Sequence, residues 1–499
     1  MDKFESYLKS TKEIGYVART QRSIVHVVGL PNAHLSELVI FENDQIGQVL
    51  SLTSEFAEVL VLTSESMKVG AKVARTDTVS SVAIGDYLLG NMVDPLGRTY
   101  GQKQIVKKNS STHEIDGVVP TIQDRKPVSQ PFVTGISWVD LVVPLSRGQR
   151  ELVVGDRKVG KTPFLMHVIA SQAKQGTVCI YAAIGKNRID IKDAYEYFKK
   201  NGVLDQTIVV AASSSDPIGL IYLAPYTAMT IAEYFRDQGK HVLLVLDDMT
   251  AHAKYYREIS LLLRRFPGRS AYPGDIFYLH SRLVERAGNF VKTIKKEDGT
   301  LTRFESSITC LPVAELVMSD LSGYIQTNLM SMTDGHLYFD RELFNQGRRP
   351  AINPYLSVTR VGHQTQSPLM RDISREVTSF LVQAEKLTQY IHFGAELSEA
   401  TRKVLSQYER VQALLEQQEQ EVAETIPLAV NAIMIAAIWG GSWKDQDVSI
   451  LKADKSKVTQ RYTTDTAYKS TLDTIIEKTS SLSELVTLVK TKAAELFTQ

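Results

Sequence analysis

Three hydrophobic patterns follow one another along the 499 residues of this chain. After a short polar segment at 1–11, residues 15–84 carry brief Val-, Ile- and Leu-rich runs: YVARTQRSIVHVVGL, SELVIF, IGQVLSLTSEFAEVLVL and GAKVART. Gly, Asn and Asp turn residues separate them. Short alternating runs between turn signals predict strands, and this many in succession predict a small β-barrel over residues 1–84. From 85 to 366 the pattern predicts strands alternating with helices. The strands are 177–185, 207–213 and 241–246, and the helices lie near 189–200 and 221–238. That alternation predicts an α/β domain with a mainly parallel sheet. From 367 to 499, apolar residues recur at three- and four-residue spacing, as in 377–393, 398–417 and 482–497, with charged residues between them. A helical bundle is the expected result.

Within the middle pattern, residues 151–162 read ELVVGDRKVGKT. The apolar run Leu152-Val153-Val154 predicts a buried strand. Gly155, Asp156, Arg157, Lys158, Val159, Gly160, Lys161 and Thr162 then spell G-x-x-x-x-G-K-T, a phosphate-binding loop. Its glycines let backbone N–H groups turn towards phosphate oxygens, and the following helix adds its positive end. Lys161 is expected on the terminal phosphates and Thr162 on a magnesium ion. Pro163 falls in the first helical turn, where a missing N–H costs little. About 85 residues further on, HVLLVL runs into Asp247 and Asp248. A carboxylate at that strand end is expected to hold the metal's water shell opposite Thr162. Asp247 is the better placed, while Asp248 suits a cap on the segment after it. Segment 292–305 reads as a surface hairpin with an Asp-Gly turn.

Composition narrows the field. Lys and Arg number 57 against 56 Asp and Glu, so a broad nucleic-acid footprint is not expected. Cys179 and Cys310 sit in apolar runs and are expected as small core residues in a reducing compartment. The charged N-terminus is unlike a signal peptide. The longest apolar stretch, 426–439, is short for a membrane span and contains Pro427 and Asn431. A soluble, cytoplasmic protein is expected, touching a membrane only through partners.

Four long strings carry a resemblance that spans nearly the whole chain: 147–162, ISLLLRRFPGRSAYPGDIFYLHSRLVERA (259–287), SGYIQTNLMSMTDGHLYFDRELF (322–344) and GRRPAINPYLSVTRVG (347–362). Together with the order barrel, phosphate-loop domain and bundle, they resemble the alpha subunit of the F-type ATP synthase head. The resemblance implies a six-membered ring of alternating alpha and beta subunits around a central shaft. Beta then carries catalysis, while alpha binds Mg-ATP (or Mg-ADP) without turning it over. It implies that Arg360 is lent in trans to the neighbouring catalytic site, and that Arg349, Pro350 and Ser331 lie near nucleotide or interface. Gln417, in the polar tract 416–424, is within reach of an adenine.

The chemistry agrees with a non-catalytic subunit. Hydrolysis needs a group that polarises the attacking water, and the strand end after AAIG is its natural place. The family's catalytic subunits carry Glu there, whereas the residue here is Lys186, and an ammonium cannot accept a proton. Lys186 is expected either to pair with a phosphate or to point into solvent. Asp190 and Asp193 nearby suit the start of a helix.

The sequence departs from the family's usual GDRQTGKT by Lys158 and Val159, and Pro163 follows the loop threonine in place of Ser. Glu419 replaces a second Gln, and the segment before the barrel is about ten residues shorter than usual. Two further readings stay open. One is a rotary-like ATPase driving other mechanical work, such as surface motility. The other is an RNA-translocating hexameric motor, which needs an oligonucleotide-binding barrel and its own catalytic carboxylate.

Overall fold

The structure is a computed structural model that describes residues 3–63, 67–100, 110–295, 301–391, 398–417, 425–444 and 446–497. Its contacts group the chain into two units, Met1–Lys126 with Ala173–Thr333, and Pro127–Gln172 with Asp334–Gln499.

The first unit begins with the barrel. Strands β1 (Ile14–Gln21), β2 (Ile24–Val28), β3 (Glu37–Phe41), β4 (Ile46–Leu52), β5 (Ala57–Val61) and β6 (Lys72–Val79) close in the order β1-β2-β5-β4-β3-β6. Every neighbouring pair is antiparallel. The alternation read in the sequence is what fills the interior: Val17, Val25, Val39, Val49, Val59 and Val73 are all buried there. The helix Lys3–Thr11 sets Phe4 against Ile40 and Ala74. Arg75 is buried too, and is matched by Glu37 at 3.0 Å and Glu13 at 3.2 Å.

The same unit contains a sheet whose neighbours run Leu301–Glu315, His241–Asp247, Val178–Lys186, Thr207–Ser213, Met92–Val93, all parallel. Parallel neighbours require crossovers, which the helices Arg188–Lys200, Ile218–Asp237 and Met249–Leu262 supply. Such strands are covered on both faces and read as continuous apolar runs; Leu243, Leu244, Val245 and Leu246 are fully buried. Cys179 and Cys310, which form no disulfide, are buried in the same sheet. Gly288–Lys295 pairs antiparallel with Leu301–Glu315, as the hairpin reading required, but the expected Asp-Gly turn lies outside the described residues.

One charged residue in this unit is fully enclosed. Arg286, 1% exposed, donates to Glu233 through Nε and Nη2, to Thr230 at 2.8 Å and to the Ile115 carbonyl at 3.0 Å. Removing Arg286 leaves Glu233 with Arg236, at 3.6 Å, as its remaining cation, and the Ile115 carbonyl and Thr230 hydroxyl without this donor. Arg286→Met should therefore destabilise this unit by about 1–3 kcal/mol, read as a lowered denaturant midpoint.

The second unit holds a three-stranded piece and the bundle. Glu151–Gly155 runs parallel to Gly335–Phe339, which pairs antiparallel with Val358–Thr359. The bundle helices are Pro368–Ile391, Glu399–Leu415, Leu428–Trp439, Val448–Thr464, Thr466–Lys478, Leu482–Thr491 and Ala493–Phe497. Leu428–Trp439 is apolar all round and almost wholly buried, so it forms the bundle's centre. Side chains of Ser398, Asp447, Asp465 and Ser481 cap the N-termini of their helices. Among the described residues no helix is long and apolar enough to cross a membrane.

Candidate functional site

The phosphate loop stands where the sequence pattern puts it, between the buried strand Glu151–Gly155 and the helix Lys161–Lys174. Gly155 is required by close packing: a Cβ there would lie 2.6 Å from the carbonyl oxygen of Phe339 on the neighbouring strand. Lys158 and Gly160 take left-handed conformations, with φ of 61° and 88°. Left-handed residues of this kind turn successive N–H groups to one side of a loop. Val159 is buried and anchors the loop, and Asp156, also buried, faces Arg341 at 3.7 Å. Lys161 lies across the loop: its ammonium donates to the carbonyl oxygens of Gly155, at 2.7 Å, and Asp156. Thr162 is half-buried in the first helical turn, and Pro163 beside it is exposed.

Also in the second unit, the structure brings Arg349, Pro350 and Gln417 together. The Arg349 guanidinium sits 3.5 Å from the Phe344 ring centroid and donates to the Phe344 carbonyl at 2.9 Å. The Arg349–Pro350 peptide is cis. The Gln417 N–H donates to the Arg349 carbonyl at 2.9 Å. Its side-chain amide accepts from the Ser137 N–H at 2.8 Å and donates to the Gly135 carbonyl at 3.0 Å. Gln417 thus ties the end of the helix Glu399–Leu415 to the start of Ser137–Val142. Pro350 and Arg349 also line a half-open pocket with Trp138, Tyr408 and Gln412. Glu419 lies outside the described residues.

Arg360 follows the short strand Val358–Thr359 and is exposed. Its N–H donates to the Asp334 carbonyl at 3.1 Å. Among the described residues its guanidinium forms no ion pair or hydrogen bond.

In the first unit, Asp247 ends its strand fully enclosed, 1% exposed. Its Oδ1 lies 2.7 Å from the Lys186 ammonium, and its Oδ2 accepts the Tyr181 hydroxyl at 2.9 Å. Lys186 therefore does not simply point into solvent, because the register sets the end of its strand beside that of Asp247. Tyr181 carries no local signal in the sequence; only knowledge of which strands are neighbours points to it. Asp248 accepts from the Ala251 N–H as the cap of Met249–Leu262, and burial pushes its carboxyl up to about 6. Asp190 lies in the first turn of Arg188–Lys200, which Asn187 caps. Ser331, on Tyr324–Met332, bonds back to the Asn328 carbonyl at 2.7 Å and is exposed.

A buried strand, a G-x-x-x-x-G-K-T loop with two left-handed residues and a helix opening on Lys-Thr define a phosphate-loop nucleotide-binding protein. Residues 135–359 match the nucleotide-binding domain of the ATP synthase alpha/beta family, and residues 366–496 match the C-terminal domain of the same family. The protein is similar to "ATP synthase subunit alpha" of Dictyoglomus turgidum, 41% identical over 429 residues, covering 85% of this chain and 82% of the relative. It is 38% identical over 446 residues to "ATP synthase subunit alpha" of Aquifex aeolicus, covering 89% and 86%. The chain belongs to the ATP synthase alpha/beta family, and its relatives are of the alpha type.

Proposed function

We propose that this chain is the non-catalytic, ATP-binding alpha-type subunit of a hexameric rotary ATPase head. In this reading it alternates with a beta-type catalytic subunit around a central shaft, and contacts a membrane only through other subunits, on the cytoplasmic side. Its phosphate loop, residues 155–162, binds ATP or ADP, with Thr162 available to a magnesium ion, and Arg360 completes a neighbour's site. Bound magnesium would supply charge neutralisation between the phosphates. Thr162 fits that ion, since its hydroxyl lies in the first turn of the loop helix. Asp247 meets Lys186 through one oxygen and Tyr181 through the other.

The observation that carries the reading is Lys186. A subunit able to hydrolyse ATP needs an acceptor for the proton of the attacking water. The strand end that should offer one presents an ammonium ion-paired to Asp247. Burial alone would lower the Lys186 pKa, but the surrounding Asp247, Asp248 and Glu315 carboxylates outweigh it and hold the ammonium protonated.

The isolated chain should therefore bind ATP and barely hydrolyse it. A missing general base alone predicts turnover roughly 10²–10⁴-fold below that of the assembled complex. Phosphate release by the pure chain at the rate of the complex would refute the non-catalytic assignment. Identifying the other subunits of the endogenous complex decides between a proton-driven synthase and an ATPase with another mechanical output.

A further inference from the structure

Arg360 follows a row of residues that lie abreast across three strands of the second unit. Glu151 on Glu151–Gly155 is level with Gly335 on Gly335–Phe339. Gly335 in turn is level with Thr359 on Val358–Thr359, the residue before Arg360. The Glu151 carboxyl folds over Gly335: a Cβ at 335 would lie 2.7 Å from its Oε2 and 2.9 Å from its Oε1. Glycine at 335 leaves room for the acid. The Gln149 amide bridges outward from there, its Nε2 donating to Glu151 Oε2 at 2.8 Å and to the Thr359 hydroxyl at 3.2 Å. Its Oε1 accepts from the Ser146 N–H at 2.8 Å, which fixes the orientation of the amide. Glu151 and Gln149 are both fully buried.

Burying a carboxyl is less favourable than burying an apolar side chain of similar size, and the Glu151 Oε1 has no hydrogen-bond partner among the described residues. Burial pushes this carboxyl well above the usual carboxylate range; Asp334 adds to that effect, and the nearby Arg360 guanidinium opposes it. The neutral acid is favoured, so what Glu151 offers Gln149 is an acceptor oxygen rather than a charge. We propose that Glu151 is a positioning residue for Arg360: through Gln149 and Thr359 it fixes the strand from which the guanidinium is offered. The inference rests on the role proposed above for Arg360. The bridge adds an interior anchor to the contacts that Thr359 makes with Pro144 and Gly362. A displaced strand would carry the guanidinium with it, and a misplacement of about 1 Å is enough to slow a reaction by about 10²-fold. Glu151 itself touches no reacting group.

The test is steady-state turnover of the reconstituted complex with substitutions in this subunit. Glu151→Leu removes the acceptor that holds Gln149 and should lower kcat by roughly 10- to 100-fold. KM should not change, the pattern of an interaction made only in the transition state. Glu151→Gln keeps an oxygen for Gln149 on an uncharged head and should restore most of kcat. In an Arg360→Ala background, Glu151→Leu should cause no further loss, because the group it positions is gone. The chain's own Kd for ATP should stay at the parental value. Thr359→Val cuts the bridge at its half-buried outer end and carries the test if melting temperatures show Glu151→Leu to be unfolded. The proposal is overturned if Glu151→Leu, or Thr359→Val in its place, turns over at the parental rate. It is overturned equally if Glu151→Gln is as slow as Glu151→Leu, or if the fractional loss is the same with and without Arg360. A raised Kd for ATP would show that Glu151 serves the phosphate loop instead, which also overturns it. If Arg360→Ala alone leaves turnover unchanged, the role of Arg360 falls and this inference with it. Loss with Arg360→Ala but none with Glu151→Leu overturns the inference alone.

Discussion

Lys161→Ala should raise the Kd of this protein for ATP by roughly 30- to 4,000-fold. That range corresponds to the about 2–5 kcal/mol lost when one partner of a buried charge pair is truncated. Lys161 is buried, and its ammonium is held by the Gly155 and Asp156 carbonyls, so it is aimed before any ligand arrives. A preorganised cation loses little freedom on meeting a phosphate, and its contribution to binding is correspondingly large. The substitution also leaves those two carbonyls without their donor, so a modest fall in melting temperature accompanies the loss. Under the proposed non-catalytic role, a complex rebuilt with the variant should retain part of its ATPase activity. Titration with a fluorescent ATP analogue measures the first effect and steady-state turnover the second. An unchanged Kd would show that residues 155–162 do not bind phosphate.

What the sequence could show depended on how local each feature is. The phosphate loop is one continuous stretch, and its residue types state its geometry, down to a glycine at 155 where a Cβ would strike the Phe339 carbonyl. The Asp248 cap and the central apolar helix Leu428–Trp439 are local in the same sense. The barrel was legible because alternation in its strands maps directly onto the buried valines.

Features that depend on strand order were not legible. Nothing local to Lys186 says that the end of its strand lies beside that of Asp247, 61 positions away in numbering. Gln417 reads from its polar tract only as a group within reach of an adenine, and nothing local to it points to the bonds its amide makes with residues 135 and 137. Nothing local in the sequence says that Arg286 and Glu151 are buried. The first is enclosed by Glu233 and Thr230. The second is fully buried with a hydrogen bond from Gln149, and burial pushes its carboxyl well above the usual range. Contacts also group residues 127–172 with 334–499. The physical reason is the parallel pairing of Glu151–Gly155 with Gly335–Phe339, a non-local choice that the changes in pattern near 84 and 366 do not reveal.

Arg360→Ala should leave this subunit's fold and its own ATP binding unchanged while slowing the assembled ATPase by about 10³-fold or more, the range for an arginine supplied to a phosphoryl-transfer site. The backbone on both sides of Arg360 is fixed. Its N–H bonds to Asp334, and the Thr359 hydroxyl donates to the Pro144 carbonyl at 3.0 Å and accepts from the Gly362 N–H at 3.0 Å. Gly362 packs so closely that a Cβ would overlap the Pro144 carbonyl oxygen. A clamped backbone beneath an exposed guanidinium with no ion pair among the described residues suits a group offered outward. Had Arg360 been a structural ion pair, its removal would lower stability, and turnover would fall only in proportion to lost protein. A surface side chain without such a partner should instead change stability by no more than about 0.5 kcal/mol. Arg360→Lys should restore turnover only in part, since a point-like ammonium cannot reproduce the planar, multi-donor contact of guanidinium with phosphoryl oxygens. Melting temperature and steady-state turnover measured on the same reconstituted complex separate the two roles. A stable Arg360→Ala complex hydrolysing ATP at the parental rate would exclude Arg360 as the trans-acting group.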